Sequence, residues 1–201
     1  IRDIQQLRSQ IRPDEKSNEA NSPWNINKAF TINMSFTIDE IISMLEQYES
    51  YNFTGMNIDY ISKYIYEFTS GHPFLVSTIC KYIDEILSND GSINNWSKLG
   101  VNKSINFILN TDITFFSYII EKLNTNDNLK EMLKKIIFKK DKFLSQFIYN
   151  EPIRIGKMFG IIKIIEGNVV ITNRIIEMLL TYYFIFEEKE KEKKRLNIKI
   201  S

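Results

Sequence analysis

The chain has 201 residues, 43% hydrophobic and 25% charged, with a net charge of +1. That size supports one large globular domain or two small ones, and the balanced charge gives no overall pull towards nucleic acid or an anionic membrane. No apolar run reaches the roughly 18–20 residues of a membrane span, the N-terminus lacks a signal-peptide pattern, and the single cysteine, Cys80, excludes an internal disulfide.

One cysteine fits a reducing compartment, so a cytoplasmic setting is expected. Residues 1–36 read as the least regular part. Ile4, Leu7 and Ile11 line a short helical turn that Pro13 ends, and residues 14–21 form a polar loop. Residues 30–36 then alternate apolar and polar with period two, which suits a short extended segment.

From Thr37 the pattern turns helical. Thr37 and Glu40 have the spacing of a capping box, and Ile41, Leu45 and Tyr48 repeat on one face. Asn57 is placed to cap a second helix with Ile58, Ile61, Ile65 and Phe68 on its apolar side. Pro73 opens a third, carrying Phe74, Val76, Ile79, Cys80, Ile83 and Leu87, and Asn89-Asp90-Gly91 stops it. Short connections between them predict a compact bundle over 37–91.

A polar connection around Trp96 and Gly100 comes next. Helical patterns recur at about 105–110, 113–123 and 128–140, whereas residues 143–149 suit helix or strand equally. Pro152 opens a short helix through Phe159, whose Ile153, Ile155, Met158 and Phe159 read as core. Two β-branched runs around Glu166-Gly167-Asn168 predict a hairpin, and Asn173 is placed to cap a last helix with Ile175, Ile176, Leu179, Leu180 and Tyr183 inward. Glu187 to Arg195 interleaves both charge signs, as a solvated helical extension or an interaction tail would. The expected fold is mainly α, a helical lid bundle followed by a winged-helix domain with one β-hairpin. The predicted organisation is an irregular segment at 1–36, the bundle at 37–91, a winged helix at 92–186 and a charged extension at 187–201.

Chemistry concentrates at Thr69-Ser70-Gly71-His72-Pro73-Phe74-Leu75-Val76. A small-residue turn ends one helix, and Pro73 opens the next at a position where no intrahelical acceptor is needed. A helix entrance of this kind leaves N–H groups free for an anionic or polar ligand. The seven glycines are scattered and no GxxxxGK[ST] occurs, so no phosphate cradle accompanies the turn.

Taken in order, Ser22-Pro23-Trp24-Asn25-Ile26, Met34-Ser35-Phe36 before Glu40-Ile41, Thr54-Gly55-Met56 and Ser70 to Val76 resemble the region that lies after the P-loop core in bacterial AAA-like, STAND-type ATP-binding proteins. Phe159-Gly160-Ile161 and residues 171–177 look like the winged-helix module of that family. The similarity covers about residues 1–186. It implies a lid and winged helix that respond to ATP or ADP with Mg²⁺ held by a P-loop core, in cis or in trans. It also implies that Gly71, His72 and Pro73 approach the nucleotide, and Trp24, in a polar loop, is a further candidate for a ligand or interdomain contact. Family members carry Walker A, Walker B and a sensor strand before this region, so hydrolysis by these residues alone is not expected.

Plainer readings stand beside each of these residues. His72, the only histidine, has no metal-ligand spacing and no nucleophile near it, and could be a simple turn residue. Trp24 could pack against the bundle, and Cys80 reads as a buried, inert thiol. Adjacent carboxylates such as Asp39-Glu40 and Asp84-Glu85 fall on different helix faces and read as surface charge. The alternative function is a stand-alone winged helix binding nucleic acid or a protein effector. Lys130, Lys134 and Lys135, with Arg154 and Lys157 outward on the short helix, would contact phosphates.

Overall fold

The computed structural model describes residues 35–87, 95–141, 143–144 and 150–200, without the side chains of 86–87, 144 and 197–200. The expectations for residues 1–34, for Asn89-Asp90-Gly91 and for 145–149 lie outside the described residues. Those described belong to one compact unit, Ser35–Ser201. They are mainly helical with one small antiparallel sheet.

Helix α1 (Ile38–Asn52) begins as its sequence dictates. The Thr37 side chain accepts from the Glu40 N–H, and the Glu40 carboxylate accepts from the Thr37 N–H at 2.7 Å. The helix ends at Phe53 in left-handed geometry. Beyond that cap, Glu49 gathers the Thr54 N–H at 3.1 Å and the Gly55 N–H at 2.6 Å, which sets the loop into α2. These hydrogen bonds, the Thr54 side chain first, hold the Glu49 carboxyl below its ordinary value. Helix α2 (Ile58–Thr69) is capped by Asn57, and α3 (Pro73–Lys81) continues into a π-helical turn at Tyr82–Leu87. Tyr82 lies against Phe107 with ring centroids 4.4 Å apart. Tyr48 on α1 donates to the Asp84 carboxylate and lies 4.9 Å from the ring of Trp96, tying the three-helix bundle to the segment that leads into the fourth helix.

Helices α4 (Lys98–Asn110), α5 (Thr114–Thr125) and α6 (Asp127–Lys134) come next, α6 also ending in a π-helical turn, Lys135–Lys139. Strand β1 (Phe143–Leu144), α7 (Glu151–Met158), β2 (Ile162–Ile165) and β3 (Asn168–Ile171) complete the run to the hairpin. The sheet order is β1-β3-β2, with Phe143 opposite Val169 and Ile162 opposite Ile171. The β2–β3 turn is Glu166-Gly167, both at positive φ, 48° and 76°. That left-handed pair matches the right-handed twist of the strands it joins. Gly156 lets α7 press on its neighbours, since a Cβ there would meet the Ile162 side chain at 3.0 Å and Leu129 at 3.2 Å.

The last helix, α8 (Arg174–Ile200), runs 27 residues and is capped by Asn173, whose side chain accepts from the Ile176 N–H at 2.9 Å. Its Ile175, Ile176, Leu180 and Phe184 are fully buried, and the helix packs on α2, α4 and β3. One hydrophobic cluster therefore runs from Ile41 and Ile65 through Ile108 and Leu129 to Phe184. Among the described residues no helix is long and apolar enough to cross a membrane.

Two side chains read as core lie elsewhere. Phe74 is 42% exposed, leaning on Phe115 from the rim of α3, and Met158 is 64% exposed at the end of α7. Both sit within one turn of a helix end, where the neighbouring turn that would complete a pocket is absent.

Candidate functional site

The turn between α2 and α3 is held by its own backbone. Ser70 adopts φ 47° and donates its N–H to the Tyr66 carbonyl, and Gly71 is next at φ 74°. The buried Thr69 hydroxyl donates to the Ile65 carbonyl at 2.8 Å and accepts from the Gly71 N–H at 3.1 Å. The Gly71 carbonyl accepts from the Phe36 N–H at 2.8 Å, and the His72 N–H bonds the Thr69 carbonyl at 3.0 Å. The part left for a ligand is the entrance of α3, where His72 is the N-cap and gives no side-chain cap.

His72 faces Phe115, with ring centroids 5.2 Å apart, and its buried Nδ1 has no partner among the described residues. Burial depresses its pKa below the ordinary imidazole value, so the ring is neutral at pH 7. A neutral ring suits a hydrogen bond to a polar ligand, once Nδ1 is uncovered, and not an ion pair with a phosphate.

Two cations from the far part of the sequence meet this region, Lys163 at the turn and Arg174 at the last helical turn before it. Lys163 Nζ on β2 lies 3.4 Å from Ser70 Oγ, and burial lowers the Lys163 pKa. Arg174, first residue of α8, pairs with Glu67 at 2.5 Å and lies over the Phe68 ring at 4.4 Å. Sequence reading missed both. Lys163 sits in a β-branched run and Arg174 at a helix start, and nothing local signals a partner about a hundred positions away.

Gly71, His72 and Pro73 thus form one continuous element, and Trp24 lies outside the described residues. Of the basic groups of the alternative reading, Lys130 and Lys134 lie together on α6 against the acidic residues of α8. Lys130 bonds Glu187 and the Tyr183 hydroxyl, and Lys134 bonds Glu188 at 3.1 Å and lies 3.5 Å from Glu187. Burial works to lower both lysine pKa values, and the acidic partners outweigh it and hold them above the ordinary value. Lys135, in the π-helical turn that ends α6, and Arg154 and Lys157 on α7 are exposed and form no ion pair among the described residues. Two of the five basic groups are neutralised within the chain, which removes much of the counterion release a nucleic-acid site depends on.

An open groove between α4, α5 and α8 is floored by Leu109, Phe116 and Leu179 and rimmed by Asp112 and Glu121. It has no basic residue in its lining, so a phosphate would meet only negative charge there. Among the described residues no group of His, Cys, Asp and Glu has metal-binding geometry. Comparison with protein-family models, with curated proteins and with solved structures finds no match for the chain.

Proposed function

We propose that this chain is the regulatory lid and winged helix of an AAA-like, STAND-type ATPase, responding to ATP or ADP bound with Mg²⁺ by a P-loop core in cis or in trans. The observation that carries the reading is the reach of Lys163 from the hairpin to Ser70 in the turn before α3. A nucleotide that pulls on the entrance of α3 displaces the turn. Lys163 then transmits the displacement to β2, and the Glu67–Arg174 pair transmits it to the start of α8. The order β1-β3-β2, with α7 between β1 and β2, supports a winged helix as the receiving module.

Catalysis is not this chain's part. Phosphoryl transfer needs a loop to cradle the phosphates, and no GxxxxGK[ST] occurs in the 201 residues. Phosphate release by the purified chain should equal that of a no-enzyme control. The reading itself is tested with the chain joined to its P-loop core, by comparing ADP dissociation and thermal midpoint for His72→Ala, Pro73→Ala and Lys163→Met. Release rates should change in all three. For Pro73→Ala the accompanying stability loss should be only about 0.5–1 kcal/mol. Unchanged release in all three reduces the turn to a helix connection and overturns the proposal.

A further inference from the structure

The outer face of α8 has no partner among the described residues, and its pattern identifies one. Tyr182, Ile185 and Leu196 are 55%, 42% and 59% exposed on the face opposite the buried Phe184. Tyr182, Ile185, Lys189, Glu192 and Leu196 are spaced alternately three and four residues apart, the repeat of a two-helix seam. Lys189 and Glu192, in the middle of that seam, form no ion pair among the described residues. The ion pairs of their neighbours, Lys191 with Glu188 at 3.2 Å and Lys193 with Glu190 at 2.8 Å, lie off or beside it.

We propose that α8 is a homodimerisation helix, pairing antiparallel with α8 of a second copy of this chain about a two-fold axis that crosses between Glu190 and Lys191. Charge decides both the occupant and the direction. In this register Ile185 meets Leu196 of the second copy, Lys189 meets Glu192, and Glu188 flanks Arg195, each contact occurring twice. A parallel pair in register would set Lys189 against Lys189 and Glu192 against Glu192, each repulsive in a half-buried seam. The extension at 187–195 is acidic at its start and basic at its end, so an antiparallel copy is its electrostatic complement. The buried face of α8, with Ile176, Leu180 and Phe184, stays on its own subunit, so dimerisation needs no unfolding.

The test uses the whole chain in analytical ultracentrifugation at increasing concentration. A monomer–dimer equilibrium is expected, and Leu196→Asp should abolish it with the helical circular dichroism retained. Lys189→Glu and Glu192→Lys should each raise the dimer dissociation constant about tenfold or more, and the double variant K189E/E192K should restore it. Direction is read by cross-linking in a Cys80→Ser background. Ile185→Cys chains should form disulfides with Leu196→Cys chains and not among themselves. A chain that stays monomeric at every concentration, a dimer indifferent to Leu196→Asp, a charge swap without rescue, or self-cross-linking at Ile185→Cys would each overturn the proposal.

Discussion

The carbonyl oxygen of Phe36 lies 1.9 Å from the point a Cβ would occupy on Gly71. Together with the Phe36 N–H bond to the Gly71 carbonyl, this means the entry to α1 is seated directly on the turn before α3. Gly71→Ala therefore meets two penalties, a positive φ of 74° and a backbone collision. A loss of about 2–4 kcal/mol in urea unfolding is expected. Gly167→Ala is the control, since φ is 76° there too but nothing lies within 4 Å of the added carbon. Its loss should be about 1–2 kcal/mol, the left-handed penalty alone. Equal losses at the two glycines would mean that Phe36 moves aside freely.

The opposite sign is expected one residue before that control. Glu166 sits at φ 48°, a conformation that asparagine and glycine tolerate better. Glu166→Asn should stabilise the hairpin by roughly 0.5–1 kcal/mol, read as a rise in thermal midpoint.

His72 is the only histidine, so the pH range around its titration reports on one side chain. Its folded pKa is depressed by burial, so between the folded value and the unfolded value of 6.5 the unfolded chain holds more proton. Stability contributed by neutral His72 is complete above pH 6.5 and is lost as pH falls through the folded value. His72→Gln should flatten the stability profile across that window without changing the carboxylate limb at lower pH. Midpoint against pH for both proteins checks this, and parallel profiles would show that the imidazole is not desolvated.

Lys130 and Glu187 couple α6 to α8. Burial alone would raise the Glu187 carboxyl, yet the Lys130 hydrogen bond and the charges of Lys130, Lys191 and Lys134 hold it below its ordinary value of 4.5. That stability is present above 4.5 and fades as pH falls through the depressed value. Lys130→Met should cost about 1–2 kcal/mol at pH 7, because a poorly hydrated carboxylate loses a partner. The loss should shrink on acidification below 4.5, which denaturation at pH 7 and pH 3 would show.

Legibility in the sequence depended on range. Thr37 with Glu40, Asn57 and Asn173 cap helices as their spacing requires, because a cap is settled within three residues. The hairpin around Gly167 was visible for the same reason. The π-helical turns at Tyr82–Leu87 and Lys135–Lys139 were not, since they answer to tertiary contacts such as Tyr82 on Phe107. Of the candidate site, the turn Ser70 to Pro73 was legible. Lys163 and Arg174 were not, because their partners come from the other end of the described chain. Lys130 and Lys134 read as basic surface until the acidic residues of α8 are folded beside them.

Cys80 gives the molecule a clock. It is the only thiol, it lies on α3 a few residues beyond the Gly71 turn, and burial pushes its pKa up to about 12. The side chain is half-buried where the sequence suggested full burial, and almost none of it is thiolate at neutral pH, so alkylation is slow and quickens when the bundle breathes. Labelling speed then measures how often α3 lifts from its neighbours. A ligand that clamps the turn would slow that clock, and one that pries it open would quicken it, with no change in the chain needed to read either.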